Sequence, residues 1–354
     1  MKHFTFALLF ILSLALPSRL LAAEWVNVLN WPDYIDPRVI EDFTKETGIE
    51  VAYDTFDSDA AIESRLMLGN PAYDVVFPSG PVLRRAIEAN LLQRLDPGKL
   101  PNANNLSQQI MSDLAIDDPG NRYAVNYAWF TAGIAYDVDK ARDRLGDQPL
   151  DSWDIIFKPE NLQKFADCGI EVLDDAQDLF AIALIYMRVD PQKARWIDIR
   201  RAADLLSLLH RNVKKFHSSD YINALANGDI CLAVGWSGDA ALARSRAREA
   251  DNGLGIGYVV PKEGSVIALD NMAIPANAPH PAAAYALINF LLRPDIAARN
   301  TAATGFANGL TAPLLASDKG NPTSADPAAT LYAVRAYPAA VQKFIEREWT
   351  QITK

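Results

Sequence analysis

Histidine, cysteine and basic residues are all scarce in this sequence, and each shortage closes off a class of function. The four histidines, His3, His210, His217 and His280, are scattered over 354 residues, which argues against a histidine-rich metal site. Lysine and arginine together number 34 against 44 acidic residues, a net charge of −10. A nucleic-acid binder needs a basic face, so this balance points instead toward cationic partners or plain solubility. Two cysteines are too few for a disulfide-dense scaffold. Repeats, low-complexity tracts and Gly/Ser linkers are absent, so two lobes would be joined by strands or tight crossovers and not by a tether. What remains is 50% hydrophobic and 22% charged, enough apolar material for two cores, and the length fits about two domains.

The N-terminus reads as an export signal. Lys2 and His3 precede an apolar and hydroxyl run from Phe4 to Leu16, then Pro17 and the small-residue end Leu21-Ala22-Ala23. That run is too short to span a bilayer, and no comparable stretch follows. Residues 1–22 are therefore expected to be cleaved, and with no cysteine near the cut a lipid anchor is not expected. Export takes Cys168 and Cys231 into an oxidising compartment, where a disulfide is the default; two buried free thiols are the alternative.

The mature chain opens as strand, helix, strand. Trp25 to Leu29 alternates like a strand, Asp36 and Pro37 announce a helix that Gly48 ends, and Ile49 to Tyr53 returns as a strand. A short buried strand at Tyr73–Phe77, a helix from about Pro81 to Leu92, a strand at Gly133–Tyr136 and a helix at Ala202–His210 continue the α/β pattern. In such sheets functional residues gather in loops past strand ends. The candidates are Trp31-Pro32-Asp33-Tyr34, Ser79, Gly235-Trp236-Ser237-Gly238-Asp239, and Asp270 after the apolar Val266–Leu269. The third resembles a serine-hydrolase elbow only on the surface, because Asp239 stands where that motif needs glycine.

These loops combine carboxylates with aromatic rings. A ring face attracts a desolvated ammonium by about 0.5 to 2 kcal/mol, and a charge-assisted hydrogen bond adds roughly 1.5 to 3. Together Trp31, Asp33 and Tyr34, or Trp236 and Asp239, would make an amine-binding box. Each also has a structural alternative, as a half-buried core ring or a helix-capping aspartate.

A specific resemblance is carried by ordered strings: Asn30-Trp31-Pro32-Asp33-Tyr34-Ile35, Lys45-Glu46-Thr47-Gly48-Ile49, Tyr53-Asp54-Thr55-Phe56-Asp57-Ser58, Asp151-Ser152-Trp153-Asp154, Phe216-His217-Ser218-Ser219, Asn227-Gly228-Asp229-Ile230-Cys231 and Gly235-Trp236-Ser237-Gly238-Asp239. They resemble the periplasmic putrescine/polyamine-binding proteins of bacterial ABC importers, from about Trp25 to Pro313. The resemblance implies an α/β, two-lobed periplasmic-binding-protein fold, type II-like, with a ligand cleft between the lobes. Lobe one would be residues 24–126 and 250–315, lobe two residues 127–249 and 316–354.

It further implies ligand contacts from Trp31, Asp33, Tyr34, Ser79, Asp178, Ser218, Trp236, Asp239, Asp270 and Phe306. Trp31, Tyr34, Trp236 and Phe306 would be stacking walls, and Asp33, Asp178, Asp239 and Asp270 amine partners. Cys168 and Cys231 match the family's disulfide pair. Pro32, Asp178 and Phe306 replace the family's usual hydroxyl residue, glutamate and tyrosine, and Ala268 replaces an aromatic ring, which would thin the walls. The expected protein is thus a non-enzymatic, monomeric periplasmic solute-binding protein with no cofactor and no metal. It would deliver a small cationic polyamine to an inner-membrane ABC permease and its ATPase. An exported hydrolase using Asp239 and Asp270, a binder of another cationic amine, and a polyamine sensor without transport are the competing readings.

Overall fold

The computed structural model describes residues 24–68, 72–146, 148–310, 330–333 and 337–354. The expected signal peptide, residues 1–22, lies outside them, as do the expected lobe limits at 315 and 316. Eleven strands are present among the described residues: β1 (Glu24–Asn30), β2 (Ile49–Thr55), β3 (Val75–Val76), β4 (Ala124–Asp137), β5 (Ile170–Val172), β6 (Lys215–Phe216), β7 (Leu232–Trp236), β8 (Ile256–Val259), β9 (Ser265–Ala273), β10 (Ala307–Asn308) and β11 (Leu331–Ala333).

The opening unit forms as its residues dictate. Asp36 caps the helix Pro37–Thr47 by accepting a hydrogen bond from the Arg38 amide, and Val39 and Phe43 supply its buried face. Gly48 ends it at φ 75°, donating its N–H back to Thr44, a left-handed turn that a side chain would disfavour. The chain then returns as β2, parallel to β1.

The strand order is β2-β1-β3-β9-β4-β7-β5-β6, with β10 and β8 also on β4 and β11 on β9. Fourteen residues long, β4 belongs to two sheets at once. Its first half, Ala124 to Thr131, runs antiparallel to β9, while Ala132 to Asp137 pairs with β7 and β8. Expecting a strand only at Gly133–Tyr136 missed the first half, because Asn126 and the bulky Tyr127, Trp129 and Phe130 blur its apolar alternation. The sheet of β1, β2, β3 and β9 is covered by one core around Phe43, Tyr127, Phe290 and Phe306 and another around Ile62, Leu83 and Leu114. The sheet of β5, β6 and β7 buries its own core around Trp153, Phe180, Leu206 and Tyr221. Trp236 packs against the cores of both sheets.

Three other boundaries moved. The helix expected from Pro81 to Leu92 ends at Glu88, since Asn90 turns left-handed at φ 57°. The strand expected at Tyr73–Phe77 pairs only over Val75–Val76, and the helix expected at Ala202–His210 begins earlier, at Trp196, and ends at Leu206.

Cys168 and Cys231 are joined in a disulfide, with Cα atoms 5.6 Å apart and 63 residues of separation, and among the described residues no cysteine is free. It ties the turn before β5 to the residue before β7. Closing a loop of that length stabilises by about 4 kcal/mol on chain entropy. Denatured, unreduced protein should therefore show no titratable thiol, and reduction should lower unfolding free energy by an amount of that order. Two reactive thiols before reduction would contradict the pairing.

Candidate functional site

Asp270 lies inside β9, not in a loop beyond it as expected from the sequence. It is 3% exposed, paired in register with Ala128, and bridged through its backbone to Ser79 on the other side. A β-bulge at Tyr127 lies opposite it, and the Asn126 side-chain amide donates to the Ala128 and Asp270 carbonyls, fixing the distorted ladder. The Tyr34 hydroxyl is buried beside the Asp270 carboxyl without a hydrogen bond of regular geometry. Burial, above all, pushes the Asp270 carboxyl up to about 8, opposed by Tyr34 and reinforced by the negative charge of Asp59.

A second carboxyl approaches from the other sheet. Gly235-Trp236-Ser237-Gly238-Asp239 is not a loop: β7 runs through Trp236 and the helix Ser237–Glu249 starts at once. Asp239 therefore sits in that helix's first turn, where the helix dipole favours a carboxylate. The buried Tyr221 hydroxyl donates to its Oδ2 and accepts the Trp236 amide at 3.0 Å. Burial nonetheless raises the Asp239 carboxyl to about 7, against the lowering effects of Tyr221 and Arg246.

The third acidic group stands at another helix start. Asp175 caps the helix Ala176–Tyr186 by accepting from the Asp178 amide, 2.9 Å away. Burial raises both carboxyls; each is also raised by Asp59, and Asp178 by Asp175. Asp59, the first residue of the helix Asp59–Met67, accepts a 2.7 Å hydrogen bond from the Ser79 hydroxyl. Ser79 in turn precedes the helix Gly80–Glu88. Among the described residues no lysine or arginine forms a salt bridge to Asp59, Asp175, Asp178, Asp239 or Asp270.

Aromatic rings pack beside these carboxyls. Phe306, 8% exposed, meets Tyr34 edge-on at 4.5 Å and Phe130 at 5.2 Å, and Phe130 meets Trp236 at 4.8 Å. Gly238 lets the helix approach this group, since a side chain there would collide with the Phe306 ring. Trp31 packs against Phe56 at 4.3 Å with its indole N–H buried and unpartnered. The wall that Ala268 was expected to thin is refilled from the neighbouring strand, because Phe130 is its register partner on β4.

Two expected site residues are engaged elsewhere. Asp33, in a left-handed conformation at φ 54°, is mostly exposed and pairs with Arg246 at 2.8 Å. Ser218 is exposed, and its hydroxyl donates to the Asp174 carbonyl at 3.3 Å. Tyr34, Ser79, Trp236, Asp270 and Phe306 are linked through ring contacts and the Ser79–Asp270 bridge, with Asp239 and Asp178 joined to them electrostatically, whereas Trp31 packs on Phe56. Sequence reading missed Asp59, Asp175, Phe130 and Tyr221. Ser58 before Asp59, and Asp175 itself, are helix-capping residue types that mark helix starts, but nothing local pointed Phe130 or Tyr221 at a site.

A sequence profile described as bacterial extracellular solute-binding protein matches residues 38–330. The chain belongs to that family. This solute-binding protein is 42% identical to the putrescine-binding periplasmic protein PotF of Escherichia coli, over 94% of this chain and 92% of PotF. It is also 42% identical to the putrescine-binding periplasmic protein SpuD of Pseudomonas aeruginosa, covering 92% and 91% of the two chains. Its fold matches the spermidine/putrescine ABC transporter substrate-binding protein PotD of Streptococcus pneumoniae, with a TM-score of 0.77 at 26% identity over 93% of this chain and 98% of PotD. The family is non-enzymatic, and the α/β solute-binding fold is the expected one.

The raised carboxyls have a stability signature. In the folded solute-binding protein Asp239 and Asp270 keep their protons to about pH 7 and 8, whereas in the unfolded chain they lose them near the ordinary value of about 4. The folded state binds more protons in between, so stability falls as pH rises through that window. The melting temperature of ligand-free protein should drop between pH 5.5 and 8.5, and the drop should be smaller in Asp239→Asn. A melting temperature that rises over that interval, or an unchanged slope in the variant, would refute the assignment.

Proposed function

We propose that this protein captures a putrescine-like polyamine in the periplasm and presents it to an ABC importer. The observation that carries the reading is a set of buried carboxyls from both sheets that, among the described residues, form no salt bridge to a lysine or arginine and lie among aromatic rings. A protonated amine supplies what these groups lack: it is attracted by ring faces and donates charge-assisted hydrogen bonds to carboxylates. The names of PotF, SpuD and PotD support the same ligand class.

In this reading residues 24–126 with 250–315 and residues 127–249 with 316–354 are two lobes that close over the ligand, hinged along β4, which pairs in both sheets. Asp270 and Asp239 hold the amines, Asp178 adds a carboxylate from lobe two, and Ser79 orients the first lobe's edge. Tyr34, Trp236 and Phe306, with Phe130, enclose the methylene chain. Trp31, Asp33 and Ser218 flank the cleft, with Asp33 bound to Arg246 across the lobes. Closure is favoured because the ligand finds partners on both lobes only in the closed form. Delivery to the permease and its ATPase follows from the relatives' role, and the protein works as a monomer.

Calorimetry with putrescine, cadaverine, spermidine and agmatine tests the reading. At least one of these amines should bind. Asp270→Asn should weaken that binding between several-fold and about a hundredfold, through loss of one charge-assisted contact. Binding of only an anionic or neutral solute, or an Asp270→Asn variant with full affinity, would overturn it.

A further inference from the structure

Asp59 lies where acidic groups of both sheets come together. Its Oδ2 accepts the Ser79 hydroxyl at 2.7 Å, and Ser79 is bridged through its backbone to Asp270, so Asp59 is held beside that strand. Its Oδ1 is sealed from solvent and has no hydrogen-bond partner. The charge of Asp59 acts on Asp270 of the first sheet and on both Asp175 and Asp178 of the second. Its nearest cation, Arg85, is already held by Glu63 through two hydrogen bonds of 2.7 and 2.8 Å.

An independent observation points to a ligand donor at this place. Tyr34 is 4% exposed and its hydroxyl, beside the buried Asp270 carboxyl, has no hydrogen bond of regular geometry. The acidic groups form a row in their electrostatic influence: Asp239 and Asp270 act on Tyr34, and Asp59 acts on Asp270 and on Asp178 with Asp175. A diamine matches two ends of such a row and leaves like charges facing one another, which is unfavourable in a low-dielectric setting.

We propose that Asp59 is a selectivity residue, adding an acidic position that favours a linear polycation with three ammonium groups over a diamine. The proposal rests on the polyamine reading above and goes further, to the charge number of the ligand. None of the site residues anticipated from the sequence includes it, although Ser58 as N-cap followed by an acidic first turn marked the helix start.

The test is calorimetry at pH 8 with putrescine and spermidine on the full mature protein and on Asp59→Asn, which keeps an acceptor for Ser79. Wild type should bind the triamine roughly tenfold or more tightly than the diamine. Asp59→Asn should weaken spermidine about tenfold or more and putrescine less than about threefold, as expected for loss of one ammonium–carboxylate pairing. Asp59→Ser, which also removes the charge, should show the same loss of preference if the asparagine variant melts early. A wild-type preference for the diamine, or an equal effect of both variants on both amines, overturns the role of Asp59 while leaving the polyamine reading intact. Failure of wild type to bind either amine removes that reading and this one with it.

Discussion

The constraint on which the site depends is the cost of burying carboxylates with no salt-bridged cation. Transfer of an ionised group out of water costs several kcal/mol unless it is paired. Asp239 and Asp270 sit at 7% and 3% exposure with no lysine or arginine bridged to them among the described residues. The protein offsets part of that cost with a hydrogen-bond donor and helix starts: Tyr221 on Asp239, and helix first turns under Asp59, Asp178 and Asp239. It does not offset all of it, which is why these groups hold their protons. A site left under-compensated in negative charge is selective for whatever brings positive charge with it, and it disfavours zwitterions, whose own carboxylate would be repelled.

The fold delivers this by sharing strands between sheets. Because β4 changes partners at Thr131 and Ala132, residues on either side of that point belong to different cores while remaining neighbours along one strand. Phe130, the penultimate residue of the first portion, meets Trp236, the last residue of β7. The ion pair of Asp33 with Arg246 connects the same two regions at the surface, where solvent screening limits it to about 1 kcal/mol or less. Its charge is therefore suited to bias an approach of the two halves without locking it.

The parts of this architecture written in local signals were legible in the sequence. Asp36, Pro37 and Gly48 mark their helix because capping and left-handed turns are decided by a few adjacent atoms. Trp31, Tyr34, Trp236 and Asp239 could be nominated because aromatic and acidic residues stood together at strand ends. Other features depend on contacts between distant segments. Asp270 was placed in a loop because polar Asp270-Asn271 interrupts an apolar run, whereas the bulge at Tyr127 and the Asn126 amide accommodate it within a strand. Ala268 read as a missing ring, and only the β4–β9 register shows Phe130 supplying one. Asp59 and Asp175 stand at helix starts and carry no further local signal, and it is tertiary placement that brings them under the influence of the other carboxyls.

The central claim is that the carboxyls of this site give up protons when a cation arrives. Isothermal calorimetry of putrescine binding at pH 7, repeated in buffers of different ionisation enthalpy, counts those protons directly. An ammonium next to Asp239 and Asp270 favours their ionised forms, so on the order of one proton should be released to the buffer for each ligand bound. Binding with no proton exchanged, or with net uptake, would contradict the account.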